Sequence, residues 1–533
     1  MLHRAFSAFS TTARFSVSPW HERKLGLLTE KQASSGREII VSRTWQSSQF
    51  GAVSLDDGHW NHLDDKPRTL GWQIHQFAFM HDLIAYDRHS RSKHGSELAL
   101  AMIDQWWAKF RAVPMVRTNM AWHDHATALR LSNFLLLRSH FGARGSALLD
   151  EICRRHASLL KQEDFYERGN NHGFDQSLIL FEYSQEMGDS EAERLARDRI
   201  RFEISAAFAP DGGHVENSTG YHHFGIAQVK HANEIVMAYT GEEIDTPGFM
   251  EKAELILAHM TRPDRKLPHI GDTADFTVRR LPQPAFSDLA LQDSGWAFFR
   301  SGWDTQALHG SFKSGYRSQA HRHDDDLSLS LFALGEEWLI DGGMFAHQPK
   351  DPMRIYMRSA DAHSLPFVVG VPAWRDMAAI GQHSRIASSR SSETNFEVTG
   401  ETKMWRGFDA RRTVVFDRLK RTITIRDQIE PVSDAAHQRV KSRTDRGYAT
   451  YGTRFLTPND KRVIRMPDGV RISGQSGTLS IQSRVTCKII SGQSVPTIAG
   501  WRSTKPNNVE PASDVSFLVT THSMDETFVL CWE

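Results

Sequence analysis

The spacing of apolar residues along the chain changes character near residue 290. Before this point, apolar residues recur at intervals of three and four with few internal glycines, which predicts amphipathic helices over 125–141 and 191–209. The segment 176–188 shows the same spacing and closes on Gly188, a residue type that often ends a helix. The first half of the chain is therefore predicted to be helical.

Beyond that point the pattern turns to short runs in which apolar and polar residues alternate. "LSLSLFAL" (327–334) is followed by the turn-like "GEE" and then by "WLID", which predicts a β-hairpin. Residues 412–427 predict a second hairpin, because "TVVF" and "TITI" flank a polar stretch. Further strand-like runs, separated by Gly, Pro, Ser and Asn, continue to the C-terminus.

These two patterns predict an α+β multidomain protein, with an all-helical N-terminal domain followed by an antiparallel β-sandwich. A chain of 533 residues is too long for one simple core, which agrees with this division. We expect an N-terminal segment over 1–40 that is poorly ordered, a helical domain over 41–288 and a β domain over 289–533.

Composition narrows the possible partners. Lys plus Arg and Asp plus Glu both total 64, so the overall charge does not favour nucleic-acid binding. The three cysteines are scattered and offer neither a disulfide framework nor a thiolate zinc site. No run of about 18 apolar residues exists, so we expect no membrane span. The 14 tryptophans are numerous enough to include platforms for sugar rings, although each can equally be a core residue.

The N-terminus does not settle the compartment. Residues 1–20 are basic, rich in Ser and Thr, and free of acidic residues, which is typical of a transit peptide. They lack the continuous apolar stretch of a secretory signal. The localisation therefore stays open from these residues alone.

The first candidate site lies in "ERGNNHGFDQ", just before a helix that we expect to begin near Gly173. Polar residues at this position can simply cap the helix. Asn171 and His172 can also bind an anion, such as a sugar carboxylate, at the positive end of the helix dipole. Asp175 lies one turn beyond His172 and is placed to orient its ring.

The second candidate site is the loop "DGGHVENSTGYHHFG" (211–225), which contains Glu216 and Tyr221. A tyrosine among histidines can act as a general acid or base, although a structural loop with a buried tyrosine has the same sequence. In "MAWHDHATALR", His123 and Arg130 are seven residues apart and share a helix face. They are candidates to bind an acidic sugar, or they pair with nearby surface groups.

The third candidate site is "HRHDDDLSLSL" (321–331) in the β half. His321 and His323 alternate in register with the leucines, so an extended strand would place both histidines on the buried face. Asp341 ends the partner strand and His363 follows, which gives a nitrogen and oxygen ligand set suited to zinc. The alternative is a polar strand end with hydrogen-bonded histidines.

Together these segments resemble the heparinase II/III-like polysaccharide lyases. The resemblance rests on "NNHGFDQ", "DGGHVENSTGYHHFG", "HRHDDDLSLSLFALGEEWLIDGGMF" and "RSADAHSLPFVV", which occur in the order seen in that family, and "SGWAFFRSGWD" is similar to the opening of its β domain. It implies an (α/α) toroid followed by an antiparallel β-sandwich. It also implies that uronic-acid polysaccharides are cut by β-elimination in a cleft between these domains.

The resemblance also implies roles for individual residues. Asn171 and His172 would neutralise the uronate carboxylate, Tyr221 would act as base or acid, and His321 would be its partner. The implied zinc ligands are His323, Asp341 and His363, with Asp325 in support, whereas Asp324 and Asp326 are expected to be solvated. The candidate substrate-binding residues are His123, Arg130, Asp175, Glu216 and Tyr356, of which Tyr356 matches a cleft tyrosine of the family.

Several alternatives remain open at this stage. A glycoside hydrolase on a helical toroid would need two opposed carboxylates, for example Asp175 and Glu216. A glycan-binding protein without catalysis is the third possibility. The expected partner is an acidic polysaccharide, whether a glycosaminoglycan, alginate or a capsular uronan, and a homodimer is possible. The resemblance favours a periplasmic or secreted protein, but no clear signal peptide is seen in the sequence, so a cytoplasmic location stays open.

Overall fold

The structure, a computed structural model, describes residues 17–56, 60, 66–115, 119–141, 147–244, 248–346, 348, 350–374, 376–433 and 449–532. The chain divides into two compact units. The helical unit comprises Met1–Ala206 and Val229–Asp245, and the sheet unit comprises Ala207–Gln228 and Thr246–Glu533. Within the ranges just given, no helix has the length and apolar character needed to cross a membrane.

The helical unit consists of helices and one small hairpin. Its hairpin pairs β1 (Thr44–Ser47) with β2 (Gly51–Ser54). The helices are α1 (Pro19–Gly26), α2 (Glu30–Ser42), α3 (Arg68–His75), α4 (Met80–Ser90), α5 (His94–Phe110), α6 (Asp124–Phe141), α7 (Ala147–Leu160), α8 (Asn171–Met187), α9 (Ser190–Ala207) and the later part of α10 (Thr219–Thr240).

The helices predicted from periodicity are confirmed. Helices α6 and α9 cover the predicted segments almost exactly as the apolar spacing indicates, and α8 ends at Gly188 in a left-handed conformation (φ 71°). Helix α8 begins earlier than Gly173, at Asn171. The segment 1–40 was expected to be poorly ordered, but it contains α1 and most of α2; residues 1–16 lie outside the described ranges.

The sheet unit contains three antiparallel sheets and two further helices, α11 (Phe249–Met260) and α12 (Pro352–Arg358). Its strands are β3 (Leu289–Leu291), β4 (Trp296–Arg300), β5 (His309–Lys313), β6 (Ser328–Ala333), β7 (Glu336–Leu339), β8 (Pro366–Val368), β9 (Ser384–Ser391), β10 (Asn395–Thr402), β11 (Phe408–Asp417), β12 (Thr422–Pro431), β13 (Ala449–Pro458), β14 (Arg462–Met466), β15 (Gly469–Ser473), β16 (Thr478–Gln482), β17 (Cys487–Ser491), β18 (Trp501–Lys505), β19 (Asn508–Thr521) and β20 (Met524–Trp532).

The strand order places consecutive strands side by side in most of the unit. One sheet has the order β3-β4-β5-β6-β7, and a second has the order β14-β15-β16-β20-β12-β11-β10-β9. The third has the order β17-β19-β13-β8, with β18 paired to β19. Both predicted hairpins, β6–β7 and β11–β12, are confirmed. In the first hairpin, Leu334 and Gly335 both have positive φ, as a tight two-residue turn requires.

An extended apolar core and a buried ion pair stabilise the sheet unit. The core draws on all three sheets, for example through Phe299, Phe312, Val414 and Phe455. Arg412 on β11 forms a fully buried ion pair with Asp427 on β12 and also donates to the carbonyl of Leu327, at 2.9 Å. This contact anchors the segment that precedes β6, where the candidate histidines lie.

Candidate active site

The N-terminus of α8 shows which of its two adjacent asparagines is the cap. The side-chain oxygen of Asn170 accepts from the backbone N–H groups of His172 (2.8 Å) and Gly173 (3.2 Å). Asn171 is exposed, and its side chain makes no hydrogen bond to another described residue. Capping therefore occupies Asn170 and leaves the Asn171 amide available to a ligand.

The loop that leads into α8 is fixed by buried contacts. Glu203 on α9 accepts hydrogen bonds from the Tyr166 hydroxyl and from the backbone N–H of Gly169, at 3.0 Å. The side chain of Gln176 accepts from the backbone N–H of Glu167 at 2.9 Å. A side chain at Gly173 would collide with the Glu167 carbonyl. Asn171 and His172 are thus presented on a rigid segment.

His172 belongs to a cluster of histidines and aspartates that we call the helical cluster: His123, Asp124, His125, His172 and Asp175. The Nδ1 atom of His172 lies 2.8 Å from Asp124 Oδ2, and Nδ1 of His123 lies 2.9 Å from Asp124 Oδ1. The ring of His172 stacks on that of His125, with centroids 4.3 Å apart and planes 18° apart. Asp175 binds His125 (2.8 Å), whereas the sequence spacing predicted that it orients His172.

The charges of the helical cluster favour a cationic His172. Its hydrogen bond to Asp124 raises the pKa of the imidazole, and the nearby negative charges of Asp124, Asp175 and Glu167 add to this effect. Burial alone would raise the pKa of Asp124, but hydrogen bonds from His123 and His172 lower it well below its usual range. The cluster therefore suits an anionic group, such as a uronate carboxylate.

Two residues of the helical unit extend this cluster and were not predicted. The exposed guanidinium of Arg68 reaches Nε2 of His123, at 3.2 Å. The indole of Trp72 lies against His125, with ring centroids 5.5 Å apart. The run "HDH" at 123–125 was the available sequence signal for this cluster, and it points to Asp124 and His125 as well as His123.

Arg130 and Tyr356 are core residues, and the structure does not support a substrate contact for either. Arg130 is fully buried and donates to the carbonyls of His75 (2.6 Å) and Ala121 (2.9 Å) and to His156. Helical spacing alone did not show that its face points inward. Tyr356 is also buried, and its hydroxyl accepts from the backbone N–H of Trp501 at 3.2 Å.

The sheet unit holds a second cluster, which we call the sheet cluster: Glu216, Tyr221, Asp272, His321 and Arg354. Tyr221 lies in the first turn of α10, and its ring stacks flat on His321, with centroids 3.6 Å apart and planes 18° apart. Burial raises the pKa of Tyr221 to about 12, and the negative charges of Glu216 and Asp272 contribute. The phenol therefore keeps its proton at neutral pH.

His321 is held from two sides. Its Nδ1 atom lies 3.1 Å from Asp272 Oδ2, and its Nε2 atom lies 3.5 Å from Glu216 Oε2. Burial raises the pKa of Glu216. Strand β6 does not extend back to His321 and His323, the condition under which both histidines would share the buried face with the leucines, because β6 begins at Ser328 and His321 has a left-handed backbone (φ 52°). The orientation of the His321 and His323 rings is therefore set by a loop and does not follow from the alternation of side chains along a strand.

Asp272 is the centre of the sheet cluster and was not predicted. Arg354 on α12 donates to both of its oxygens, at 2.5 and 2.7 Å. Nε2 of His323 lies 2.9 Å from Oδ1 of the same carboxylate. Burial alone would raise the pKa of Asp272, but the hydrogen bonds from Arg354, His321 and His323 lower it well below its usual range. The group is therefore a carboxylate at any working pH.

Three residues with left-handed backbones bring these loops together: Asn217, Gly271 and His321. The Asn217 amide donates to the carbonyls of Ser318 and Ala320, both at 3.0 Å. A Cβ atom at Gly271 (φ 58°) would lie 2.5 Å from the Asn217 carbonyl oxygen and 2.7 Å from that of His321. Only glycine fits this crossing without strain.

The predicted zinc ligands lie near one another beside the sheet cluster. Nδ1 of His363 is 2.8 Å from Asp341 Oδ1, and the rings of His323 and His363 are 5.3 Å apart. His323 Nδ1 and His363 Nε2 are buried and have no hydrogen-bond partner among the described residues. Within the same residues, no group of three or more His, Cys, Asp or Glu side chains is arranged to hold a metal ion.

The aspartates that follow His323 are not simple surface charges. Asp325 is buried and forms an ion pair with Lys313, at 2.7 Å, which agrees with a supporting position. Asp326 was expected to be solvated, but it is buried and accepts from the Gly315 backbone N–H (2.9 Å) and the Ser384 hydroxyl (2.8 Å). Asp324 is partly exposed.

Comparison with solved structures identifies the fold. A heparinase III structure aligns with a TM-score of 0.76 and 15% identity over 95% of this chain and 85% of its own. The heparan sulfate lyase HepC from Pedobacter heparinus aligns with a TM-score of 0.72 and 15% identity, over 95% of this chain and 83% of its own. Another heparinase III structure aligns with a TM-score of 0.75 and 14% identity, over 98% of this chain and 88% of its own.

Comparison with family models covers nearly the whole chain, although no curated protein sequence matches it. The model described as "Heparinase II/III N-terminus" matches residues 14–287, and the model described as "Heparinase II/III-like, C-terminal" matches residues 284–532. With the heparinase III-like fold and a tyrosine–histidine pair in the sheet unit, these matches show that the chain belongs to the heparinase II/III-like family of polysaccharide lyases.

Proposed function

We propose that this protein cleaves a glycosaminoglycan by β-elimination at a uronate residue. The observation that carries the proposal is the flat stack of the protonated Tyr221 phenol on His321, whose Nδ1 faces the Asp272 carboxylate. This pair supplies a proton donor and a proton acceptor side by side, as an elimination requires. The similarity to heparinase III and to a heparan sulfate lyase favours a glycosaminoglycan among the acidic polysaccharides.

In this reaction His321 is the base. Because Asp272 Oδ2 faces Nδ1, the neutral imidazole carries its proton there and presents a lone pair on Nε2. Nε2 takes the proton from C5 of the uronate, and the electron pair of the C5–H bond becomes the C4=C5 double bond. His321 is left as an imidazolium next to Asp272 and Glu216, two acidic groups that stabilise its charge.

Tyr221 is the acid of the same reaction. As the double bond forms, the bond between C4 and the glycosidic oxygen breaks, and the phenol donates its proton to that oxygen. Because the pKa of Tyr221 is raised to about 12, its phenol is protonated before the reaction and can act as the proton donor. The products are an unsaturated uronate on one fragment and a free hydroxyl on the other, and no water is consumed.

We assign Asn171 and His172 to the uronate carboxylate on chemical grounds. Removing the C5 proton gives the carboxylate enolate character, so hydrogen-bond donors to it lower the barrier. The exposed Asn171 amide and the His172 imidazole, whose pKa Asp124 raises, are donors of the kind that this step needs. His123, His125 and Arg68 add positive or hydrogen-bonding groups for the same anionic chain.

We further propose that His323 and His363 hold a zinc ion. His323 faces Asp272 with Nε2, and His363 faces Asp341 with Nδ1, so these two nitrogens carry the protons. The other nitrogen of each ring has a buried lone pair with no hydrogen-bond partner among the described residues. Zinc would satisfy both lone pairs and stabilise the fold next to His321. In this arrangement Asp341 would orient His363 through its contact with Nδ1. Metal analysis of the purified protein, with His363→Ala as control, tests this proposal.

The finer architecture is also a proposal. We infer that the helices of the helical unit form an (α/α) toroid and that the sheets of the sheet unit form an antiparallel sandwich. The resemblance to the heparinase II/III-like lyases supports both, and the apolar core shared by the three sheets supports the second.

The function is tested by incubating the protein with heparan sulfate, chondroitin sulfate, hyaluronan and alginate. We expect ultraviolet absorbance from the unsaturated uronate with at least one glycosaminoglycan. New reducing ends without this absorbance would indicate a hydrolase, and binding without cleavage would indicate a glycan-binding protein. Either outcome would contradict the proposal.

A further inference from the structure

Asp272 makes more charged contacts than either catalytic candidate in the sheet cluster. Its Oδ1 atom accepts from Arg354 Nη1 and faces His323 Nε2, and its Oδ2 atom accepts from Arg354 Nη2 and faces His321 Nδ1. Only 2% of its side chain is exposed. A single carboxylate is thus surrounded by one guanidinium and two imidazoles.

The contacts of Asp272 determine the orientation of His321. A carboxylate that accepts two N–H groups from arginine has only acceptor sites left, so a ring nitrogen that faces it must carry a hydrogen. His321 therefore has its proton on Nδ1 and its lone pair on Nε2. The backbone N–H of Asp272 also donates to the His321 carbonyl, at 3.1 Å, which ties the carboxylate to the left-handed residue that it orients.

Without this carboxylate, His321 would have a competing partner. Glu216 Oε2 lies 3.5 Å from Nε2, and it would favour a proton on that nitrogen. That tautomer has no lone pair on the side where a base is needed. Asp272 and Glu216 thus favour opposite tautomers, and the shorter contact, to Asp272, selects the active one.

We propose that Asp272, clamped by Arg354, is the positioning residue that holds His321 in the tautomer able to remove the C5 proton. The inference rests on the proposed lyase function and deepens it, since it names the residue that keeps the His321 proton on Nδ1 and leaves Nε2 free to accept the C5 proton. Arg354 contributes by fixing the carboxylate from helix α12, and it does not contact His321 in this arrangement.

Two variants test the inference through turnover. We expect Asp272→Asn to lower kcat by about 10²–10⁴-fold with little change in KM, since its amide can donate to Nδ1 and reverse the tautomer. With a substrate deuterated at C5, the isotope effect on kcat should rise, because proton removal becomes limiting. Asp326→Asn is the matched control: it is a buried aspartate of the loop that carries His321, and it hydrogen-bonds to neither His321 nor His323, so its isotope effect should stay at the wild-type value.

A measurement on the wild-type protein keeps the inference testable even if Asp272→Asn does not fold. Nitrogen-15 labelling of histidine, with His321→Gln to assign the signal, should show the His321 proton on Nδ1. A proton on Nε2, or a soluble Asp272→Asn variant with wild-type kcat, would overturn the inference while leaving the lyase function intact. Wild-type protein that gives no unsaturated product from any uronate polymer would instead overturn the function, and with it this role for Asp272.

Discussion

The helical cluster and the sheet cluster contain the same arrangement, an aspartate between two histidines. We propose a different role for this arrangement in each cluster. Asp124 faces His123 and His172, and Asp272 faces His321 and His323. The difference is Arg354, which donates to both oxygens of Asp272. Among the described residues, no arginine binds Asp124 in this way.

This difference explains the two roles that we propose. The charge of Asp124 is balanced only by its histidines, so it raises the pKa of His172 and favours a cation that binds carboxylate. The charge of Asp272 is shared with a guanidinium, so its main effect on His321 is orientation. The presence of Arg354 on Asp272 thus explains why we assign His321 as a base and His172 as a residue that binds carboxylate.

The largest effect is expected from Tyr221→Phe, which removes the proposed acid and leaves the stacked ring. We expect kcat to fall by about 10²–10⁴-fold, measured as ultraviolet absorbance of the product. The Tyr221 hydroxyl makes no hydrogen bond to a described residue, so thermal unfolding should stay within a few degrees of wild type. Turnover at the wild-type rate would remove Tyr221 from the mechanism.

Gly271→Ala should disturb the sheet cluster through its backbone. The left-handed conformation and the two carbonyl oxygens near the new Cβ atom predict a loss of about 1–3 kcal/mol in the free energy of unfolding. Denaturant unfolding measures this loss. Gly26→Ala is the control, because a Cβ atom there meets nothing within 4 Å. Equal stability of both variants would contradict the close crossing at Gly271.

Asp124→Asn tests the charge of the helical cluster. Asp124 raises the pKa of His172, so the imidazolium persists to higher pH in the wild type and is lost as pH rises through that pKa. Without Asp124 the pKa falls, and the alkaline limb of the kcat/KM profile should move to lower pH. An unmoved limb would show that the charge of His172 does not control activity.

Asp175→Asn should have the smallest effect on the chemical step. Asp175 contacts His125 and lies outside the proposed proton transfers, so we expect kcat to change by only a few-fold. A hydrolase that uses Asp175 as a catalytic carboxylate would lose nearly all activity with this variant. The same assay used for Tyr221→Phe measures both outcomes.

The sequence predicted those features of the fold that depend on local patterns. The helices α6, α8 and α9 and the hairpin β6–β7 follow from apolar spacing within each segment. The stack of Tyr221 on His321 brings together two residues that the sequence motifs had singled out. Local pattern and family motif were therefore sufficient to find the principal candidates.

Several of the errors share one physical cause: residues that are distant in sequence form the contacts of the site. Asp272 lies 49 residues from His321 and 82 residues from Arg354, and no spacing rule connects them. Asp175 contacts His125, which is 50 residues away in sequence, and not the neighbouring His172. Helical spacing placed Arg130 on one face with His123 but did not show which face is buried.

The central claim is that the protein cuts its polysaccharide substrate by elimination. The mass of the products tests this claim most directly. Wild-type protein should convert a glycosaminoglycan oligosaccharide into two fragments, one of which is lighter by one water molecule than the hydrolysis product. When the reaction runs in ¹⁸O-labelled water, neither fragment should take up more label than the slow exchange of a reducing end in a sample without protein. Fragments that carry one ¹⁸O atom and lack the unsaturated uronate would contradict the account.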